Sequence, residues 1–534
     1  MKTVDRIDEI AQESWEKTLG CEVDDDTNFF EFGGDSISAI LMLSEINAAL
    51  GTSLSPHVMF DAADFGAFRE LLRAEAAHGE GGEKPAVPAA APTASETGVT
   101  SLFQERWFGL AKEQLGNVDL FFEVTGELDH GLFQAALKEV CRRHDVLRST
   151  YEPGRPPLRQ NVPDFRPRTR TQDLRGRDEA EVRAAVHAAV ARSVRFFDLE
   201  SEVPFELELL TLSATDHLLV GHLHHIATDG WSITLLIDDL ERVYHTLERG
   251  EDPAALEPAP QYAEFAERQR AYAAGPAIEE ARDHWRSVFR GAGTPTRLPA
   301  TLPPSAASGE SSRYANLVLD PERAAAVRAY ASAHRITVYN VLLSAFAQVL
   351  AEVTGSGDLL IGTSTAGREG GDEDCLGVFI SPMPLRLPLA EAPTPERLHA
   401  LVGTRMRDFA EHRLYPIMDL IESVEPFRGR SLADLFAIHF IYQNQPQPST
   451  GHGRTYRQLD FQDAGLDRPH GLPMPRSRVL RQLEVVVFDR LDGALSVNFG
   501  FDPSRYHEDE VAGWLDAYAA KVDQLVQRTQ AVHG

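Results

Sequence analysis

The stretch from residue 78 to residue 98 decides how this chain can fold, because it cannot bury a core. It runs Gly79-Glu80-Gly81-Gly82-Glu83 and then sets Pro85, Pro88 and Pro92 among alanines. With so little apolar surface to offset the entropy of ordering it, it reads as an extended linker. The chain is thereby divided into a short unit, residues 1–77, and a long one, residues 99–534. A length of 534 residues leaves room for about two to four domains. A tether of this kind also raises the effective concentration of the short unit at its neighbour.

The short unit reads as helical. Ile7, Ile10, Ala11, Trp15 and Leu19 recur at the spacing of one helix face. After the acidic loop Asp24-Asp25-Asp26 comes Phe29-Phe30-Glu31-Phe32-Gly33-Gly34-Asp35-Ser36, followed by an apolar run. The two glycines permit a tight turn that leaves Ser36 at the start of a helix. There the unpaired N–H groups and the helix dipole favour an attached phosphate. A serine at this place also suits a plain N-cap, and the residues alone leave both readings open.

In the long unit the densest cluster of reactive groups is Leu223-His224-His225-Ile226-Ala227-Thr228-Asp229-Gly230-Trp231-Ser232. The apolar run before it, His217-Leu218-Leu219-Val220, reads as a buried strand. Asp229-Gly230 stops the pattern, and Trp231 to Leu240 then takes up helical periodicity. An imidazole held at the mouth of a strand-to-helix turn can exchange a proton near neutral pH. Strand alternation sets His225 on the face opposite His222 and His224. Taken alone, His224 and His225 could instead be core histidines. His225 and Asp229, four apart, could be metal ligands, although no third ligand stands at a usual spacing nearby.

Composition excludes several classes. A net charge of −29 argues against a nucleic-acid binder, which needs a basic surface to neutralise phosphates. The three cysteines, Cys21, Cys141 and Cys375, are far apart and lack metal-ligand spacing, which fits a reducing, cytoplasmic compartment without a disulfide framework. The start, Met1-Lys2-Thr3-Val4-Asp5-Arg6, has no apolar signal core, and no run of about 18 apolar residues occurs, so neither export nor membrane spanning is expected. A hydrophobic share of 43% and a charged share of 25% are those of a globular protein.

The motif His224-His225-x-x-x-Asp229-Gly230-Trp231-Ser232 resembles the signature of condensation domains from nonribosomal peptide synthetases, of the chloramphenicol-acetyltransferase-like superfamily. Further stretches resemble the family's other motifs, in family order. They are Thr100 to Phe108, Arg142 to Tyr151, Tyr262 to Gln269, Ile361 to Glu369, Leu376 to Pro382, His412 to Pro416, and Leu435-Phe436 through Gln443-Asn444. Gly33-Gly34-Asp35-Ser36 resembles the attachment motif of peptidyl carrier proteins. The resemblance covers nearly the whole chain. It implies an α+β protein: an all-α four-helix carrier bundle (1–77), then a two-lobed α/β condensation domain, with lobes of about 99–275 and 276–534 around a central channel.

The resemblance also implies the chemistry. Ser36 would carry 4′-phosphopantetheine, with no metal required, and His225 would be catalytic in amide formation from an acyl thioester. His224 and Gly230 would support the motif, and Asp229 would pair with an arginine, for which Arg148 and Arg368 are the candidates ahead of Arg143. Trp231, Ser232, Ser381, Gln443 and Asn444 would line the substrate channel. Expected partners are a phosphopantetheinyl transferase, an upstream adenylation domain, and a downstream acceptor carrier or a soluble amine. Two departures from the family pattern bear on substrate preference: Ile380-Ser381-Pro382 stands where most members have Val-Asn-Thr, and Val479 to Glu484 where a Lys-Phe-Asp-Leu-type strand is usual. An epimerisation domain, a non-catalytic recruitment domain and release onto a soluble amine stand as alternatives.

Overall fold

The computed structural model describes residues 4–19, 22–27, 29, 36–50, 52, 54, 58–62, 64–78, 97–111, 116–163, 165–193, 196–302, 312–368, 371–425, 427–443, 453–459, 481–490 and 492–530. Most of the expected linker, and Asn444, lie outside these residues. The N-terminal unit is built from helices Val4–Leu19, Ser36–Leu50, Val58–Asp61 and Phe65–His78. They close around Trp15, whose ring lies 5.2, 5.1 and 5.3 Å from those of Phe29, Phe65 and Phe68. The periodic residues of the first helix explain this, since Ile7, Ala11 and Trp15 are all buried in one cluster.

Strand pairing is found at Thr97, one residue before the expected end of the linker. Thr97 and Gly98 sit opposite Gln160 and Arg159 in an antiparallel ladder. Backbone pairing does not depend on side-chain composition, so an edge strand can start inside a stretch that reads as linker. Beyond it stand two larger sheets. The five-stranded one has the order Thr455–Gln458, Asn117–Thr125, Asp216–His224, Phe205–Thr211, Arg168–Asp173. Its central strands are covered on both faces, which is why Asp216–His224 is apolar and buried almost throughout. Helices His130–Arg143 and Gly230–Glu248 contribute to the core on one face, and Glu179–Ser193 packs on the other.

The six-stranded sheet runs Ile380–Pro388, Asp358–Ala366, Ile438–Gln443, Leu483–Asp489, Leu495–Phe501, Arg313–Leu319. Its core takes in helices Pro321–Ala333, Val338–Thr354, Pro395–Glu411 and Glu508–Gln530. The apolar stripe Val511, Leu515, Tyr518, Val522 and Leu525 is buried there. Pro382, Pro384 and Pro388 all fall on the edge strand, the one place in a sheet where missing N–H donors are tolerated. No single described helix is long and apolar enough to cross a membrane.

The two halves are not separated at one point in the chain. Strand Thr455–Gln458 belongs to the second half by sequence yet pairs with Asn117–Thr125 of the first. The adjoining Arg454, 3% exposed, points its Nε at both carboxylate oxygens of Glu241, at 3.1 and 3.0 Å. Residues 368–379 make a second excursion, and Cys375, Leu376, Val378 and Phe379 are buried in the first half's core.

This second excursion is locked by Asp229. Its Oδ1 accepts from the Ser232 N–H at 2.9 Å, so it N-caps the helix Gly230–Glu248. The same oxygen accepts from Arg368 Nη2 at 3.0 Å, and Oδ2 accepts from the Phe379 N–H at 2.9 Å. Burial alone would raise the Asp229 carboxyl, but the Arg368 guanidinium and these N–H groups outweigh it and hold it below the usual range. Gly377 completes the fit. A Cβ there would stand 1.9 Å from Cδ2 of Tyr262, whose hydroxyl donates to the Val378 carbonyl at 2.6 Å.

Two outcomes follow for stability. Asp229→Ala strands a buried guanidinium and should cost about 3–5 kcal/mol in denaturant unfolding. Because the folded-state carboxyl is depressed, its stabilisation is complete above the usual carboxylate range and is lost as pH falls through the depressed value. Asp229→Asn should therefore remove that part of the acid sensitivity. Gly377→Ala should overpack the junction, at about 1–3 kcal/mol, while Gly355→Ala on the far surface, with open space around its Cβ, reports only the strain of its left-handed backbone. Equal stability of Gly377→Ala and wild type would show that the junction yields.

Candidate active site

His225 is the first residue past strand Asp216–His224, in the turn that leads to helix Gly230–Glu248. The strand fixes it from one side, since its own N–H donates to the Gly116 carbonyl at 2.6 Å. Its ring Nδ1 lies 3.1 Å from the Thr228 carbonyl. A carbonyl can only accept, so the proton sits on Nδ1 and the lone pair is on Nε2. Trp107 stacks on the imidazole at 4.5 Å and 20°. The residue is half-buried. Burial pushes its pKa down to about 4, against weaker opposing pulls from the Thr228 carbonyl and Asp229. At neutral pH it is an uncharged hydrogen-bond acceptor.

His224 packs behind it. It is 1% exposed, its Nδ1 accepts from the Ile226 N–H at 3.0 Å, and its ring leaves no room for a Cβ on Gly116, which takes a positive φ. Gly230 is the first residue of the helix. Of the two arginine candidates, Arg368 meets Asp229. It is 5% exposed, and it also donates to the Asp372 and Cys375 carbonyls at 2.8 and 2.6 Å and to Ser232 Oγ at 2.8 Å. Arg148 pairs with Asp145 instead. Arg143 is held by Asp239 at 2.8 Å.

The expected channel residues fare differently. Trp231 and Ser232 are buried and turned toward the second half of the chain. The Trp231 indole N–H donates to the Glu373 carbonyl at 3.0 Å, and the Ser232 hydroxyl donates to the Gly377 carbonyl at 2.6 Å. Both side chains are buried and spent on holding the 368–379 excursion. Ser381 is 2% exposed, on the edge strand opposite Thr365. Gln443 ends strand Ile438–Gln443, half-buried. Ser36 is the first residue of helix Ser36–Leu50, whose first turn holds no acidic residue to oppose a phosphate. The N–H groups left unpaired at a helix start therefore suit a phosphodiester on this residue. Among the described residues no group of three His, Cys, Asp or Glu could hold a metal ion.

Sequence reasoning missed Arg106, Trp107, Gly116 and His439. Arg106 and Trp107 stood inside a recognised motif but had no assigned contact. The Asp229 cap was also missed, although an Asp directly before Gly-Trp-Ser and a helical pattern is an N-cap signal.

The comparisons with known proteins agree with this architecture. The family described as "Condensation domain" matches residues 101–533, and the family described as "Phosphopantetheine attachment site" matches residues 10–72. A linear gramicidin synthase polypeptide of Brevibacillus parabrevis is 29% identical over 452 residues, which is 82% of this chain and 6% of that protein. The chain thus spans a small part of the curated relatives it matches. Two solved structures share the fold. The X-domain from teicoplanin biosynthesis has a TM-score of 0.68 at 20% identity, covering 82% of this chain and 96% of that one. The epimerization domain from the third module of tyrocidine synthetase B has a TM-score of 0.68 at 18% identity, covering 82% and 98%. With a family match over most of its length and a carrier unit ahead of it, the chain belongs to the condensation-domain family of nonribosomal peptide synthetases and carries its own phosphopantetheine attachment domain.

Proposed function

We propose that residues 97–534 form an amide bond between an acyl group delivered from Ser36 and an acceptor amine, with His225 as the residue that meets the amine. The observation that carries this reading is the neutral His225 with its Nε2 lone pair free, held in one tautomer by the Thr228 carbonyl. The pantetheine arm on Ser36 supplies a thioester, whose sulfur leaves as the carbonyl is attacked. In that exchange a C–N bond forms, a C–S bond breaks, nitrogen gives up a proton and the departing sulfur gains one.

The protein's part is to orient the amine, take up its proton and exclude water. An α-amine titrates near about 8, so an imidazole brought down to about 4 is a poor base for the free ammonium. It is an adequate acceptor for the N–H that turns strongly acidic as the C–N bond forms. Asp229 takes no direct part in this account, because both its oxygens are occupied at the lobe junction. Acyl supply by an adenylation domain, arm attachment by a phosphopantetheinyl transferase, an acceptor carrier or soluble amine, and a cytoplasmic setting complete the proposal.

Four measurements bear on it. Ser36→Ala should gain no mass when incubated with a phosphopantetheinyl transferase and coenzyme A; a mass gain would remove Ser36 from its place. His225→Ala should fold, accept the loaded arm and form amide about 10²–10⁴ times more slowly. A loss of only a few-fold would leave His225 with positioning alone. For wild type, the rate should fall with one constant slope below the amine's own pKa, pass through pH 6.5 without a second break, and steepen only where His225 takes a proton, near about 4. A second break near 6.5 would contradict the buried neutral histidine. Deuterium uptake into an α-aminoacyl group on Ser36, without acceptor and dependent on His225, would establish epimerisation instead. Silence in both assays would favour recruitment.

A further inference from the structure

The helix that opens the larger unit brings two nitrogen donors beside His225 and leaves them unanswered. On Leu102–Ala111, Arg106 is 7% exposed. Among the described residues its buried Nε has no hydrogen-bond partner, and neither has the indole Nε1 of its neighbour Trp107. Trp107 connects both to the site. The Arg106 guanidinium lies 4.6 Å from the indole centroid, and the His225 imidazole stacks on the same side chain at 4.5 Å.

From the other lobe, Arg481, Glu484 and His439 complete the surroundings. Arg481 pairs with Glu484, which also stands 3.7 Å from His439 Nδ1. His439 is 2% exposed and its Nε2 lies 3.2 Å from Ser364 Oγ. Burial, and then the field of Arg481, brings Arg106 down to about 9. Burial depresses His439 well below its ordinary value, with Arg481 and Arg106 adding to the effect. Both histidines are therefore neutral at pH 7. Glu484 answers Arg481, and among the described residues no carboxylate answers Arg106. One net positive charge is left, and a buried unpaired cation is costly unless something neutralises it.

We propose that Arg106 and the Trp107 indole N–H form an anion subsite beside His225 that receives a carboxylate carried by the acceptor amine or by the acyl group. The proposal rests on the amide-forming reading, and it names a substrate class that reading leaves open: acidic substrates. One unanswered charge calls for a monoanion, and a guanidinium and an indole N–H offer donors only, as a carboxylate requires. Arg481, already paired, sets the local field without binding the ligand.

The test uses the whole protein with its Ser36 arm loaded from synthetic coenzyme A thioesters. One arm of the experiment compares alanine with alaninamide as acceptor at equal free-amine concentration. The other compares succinyl with succinamoyl as the loaded group. Amide product is followed by mass spectrometry. In one arm, the acid should be preferred over its amide by about 10- to 100-fold in kcat/KM, the worth of a charge-assisted hydrogen bond; that arm identifies which substrate carries the carboxylate. Arg106→Gln should reduce the preference to within a few-fold, and Arg106→Lys, which keeps the charge, should retain part of it. The proposal is overturned if amide forms without preference in either arm, if the preference survives Arg106→Gln, or if that variant slows acid and amide alike. Should no acceptor yield amide, the amide-forming reading fails on its own, and thermal unfolding decides the subsite. Propionate but not propionamide should then raise the Tm of wild type and not of Arg106→Gln; an equal response in both proteins overturns the subsite.

Discussion

The contact between Asp229 and Arg368 is the constraint on which the rest of the site depends. One carboxylate caps the helix that follows the histidine turn, holds the N–H of Phe379 and faces a guanidinium from the other half of the chain. Each of these partners is buried, so none can turn to water if another is lost. The pair is weak evidence for stability as such, since apolar side chains can fill such a place equally well. What it fixes is register: the excursion 368–379 can seat against the histidine turn in only one way.

That arrangement separates two jobs which a His-x-x-x-Asp spacing invites one to merge. The aspartate never touches the imidazole; the Thr228 carbonyl orients the ring instead. Freed of a carboxylate partner and crowded by Trp107, His225 loses its proton well before neutrality. An imidazole used in this manner resembles a fixed lone pair more than a titrating base. Such a group suits a reaction whose nucleophile attacks in its neutral form.

Much of this was legible in the sequence, and the limits have physical reasons. Local patterns carried the helical unit around Trp15, the strand before His224 and the helix after Gly230, because each rests on periodicity within one element. The family likeness narrowed the Asp229 partner to a short set of arginines, of which Arg368 is the one in contact. The placement of Trp231 and Ser232 was not legible. Their partners, Glu373 and Gly377, lie more than a hundred residues on, at separations of 142 and 145, and no local spacing encodes them. The crossing of Thr455–Gln458 into the first sheet was hidden for the same reason. Charge balance around Arg106 could not be read either, since it depends on which carboxylates fail to arrive.

The crossing strand has a consequence for how the protein comes into being. Strand Asn117–Thr125 awaits on its outer side a partner that follows it in sequence by a separation of 334 residues at the Arg457–Glu123 contact. Synthesis at about 5–20 residues per second puts the second strand on the ribosome's far side roughly 17–67 s after the first. Through that interval the first sheet presents an open edge, with Glu241 and Glu248 still lacking Arg454. Open edges recruit other strands. Nascent chains of this protein should thus depend on chaperone cover until Thr455–Gln458 emerges, and fragments ending before it should be drawn toward aggregation even though most of the first sheet is already complete.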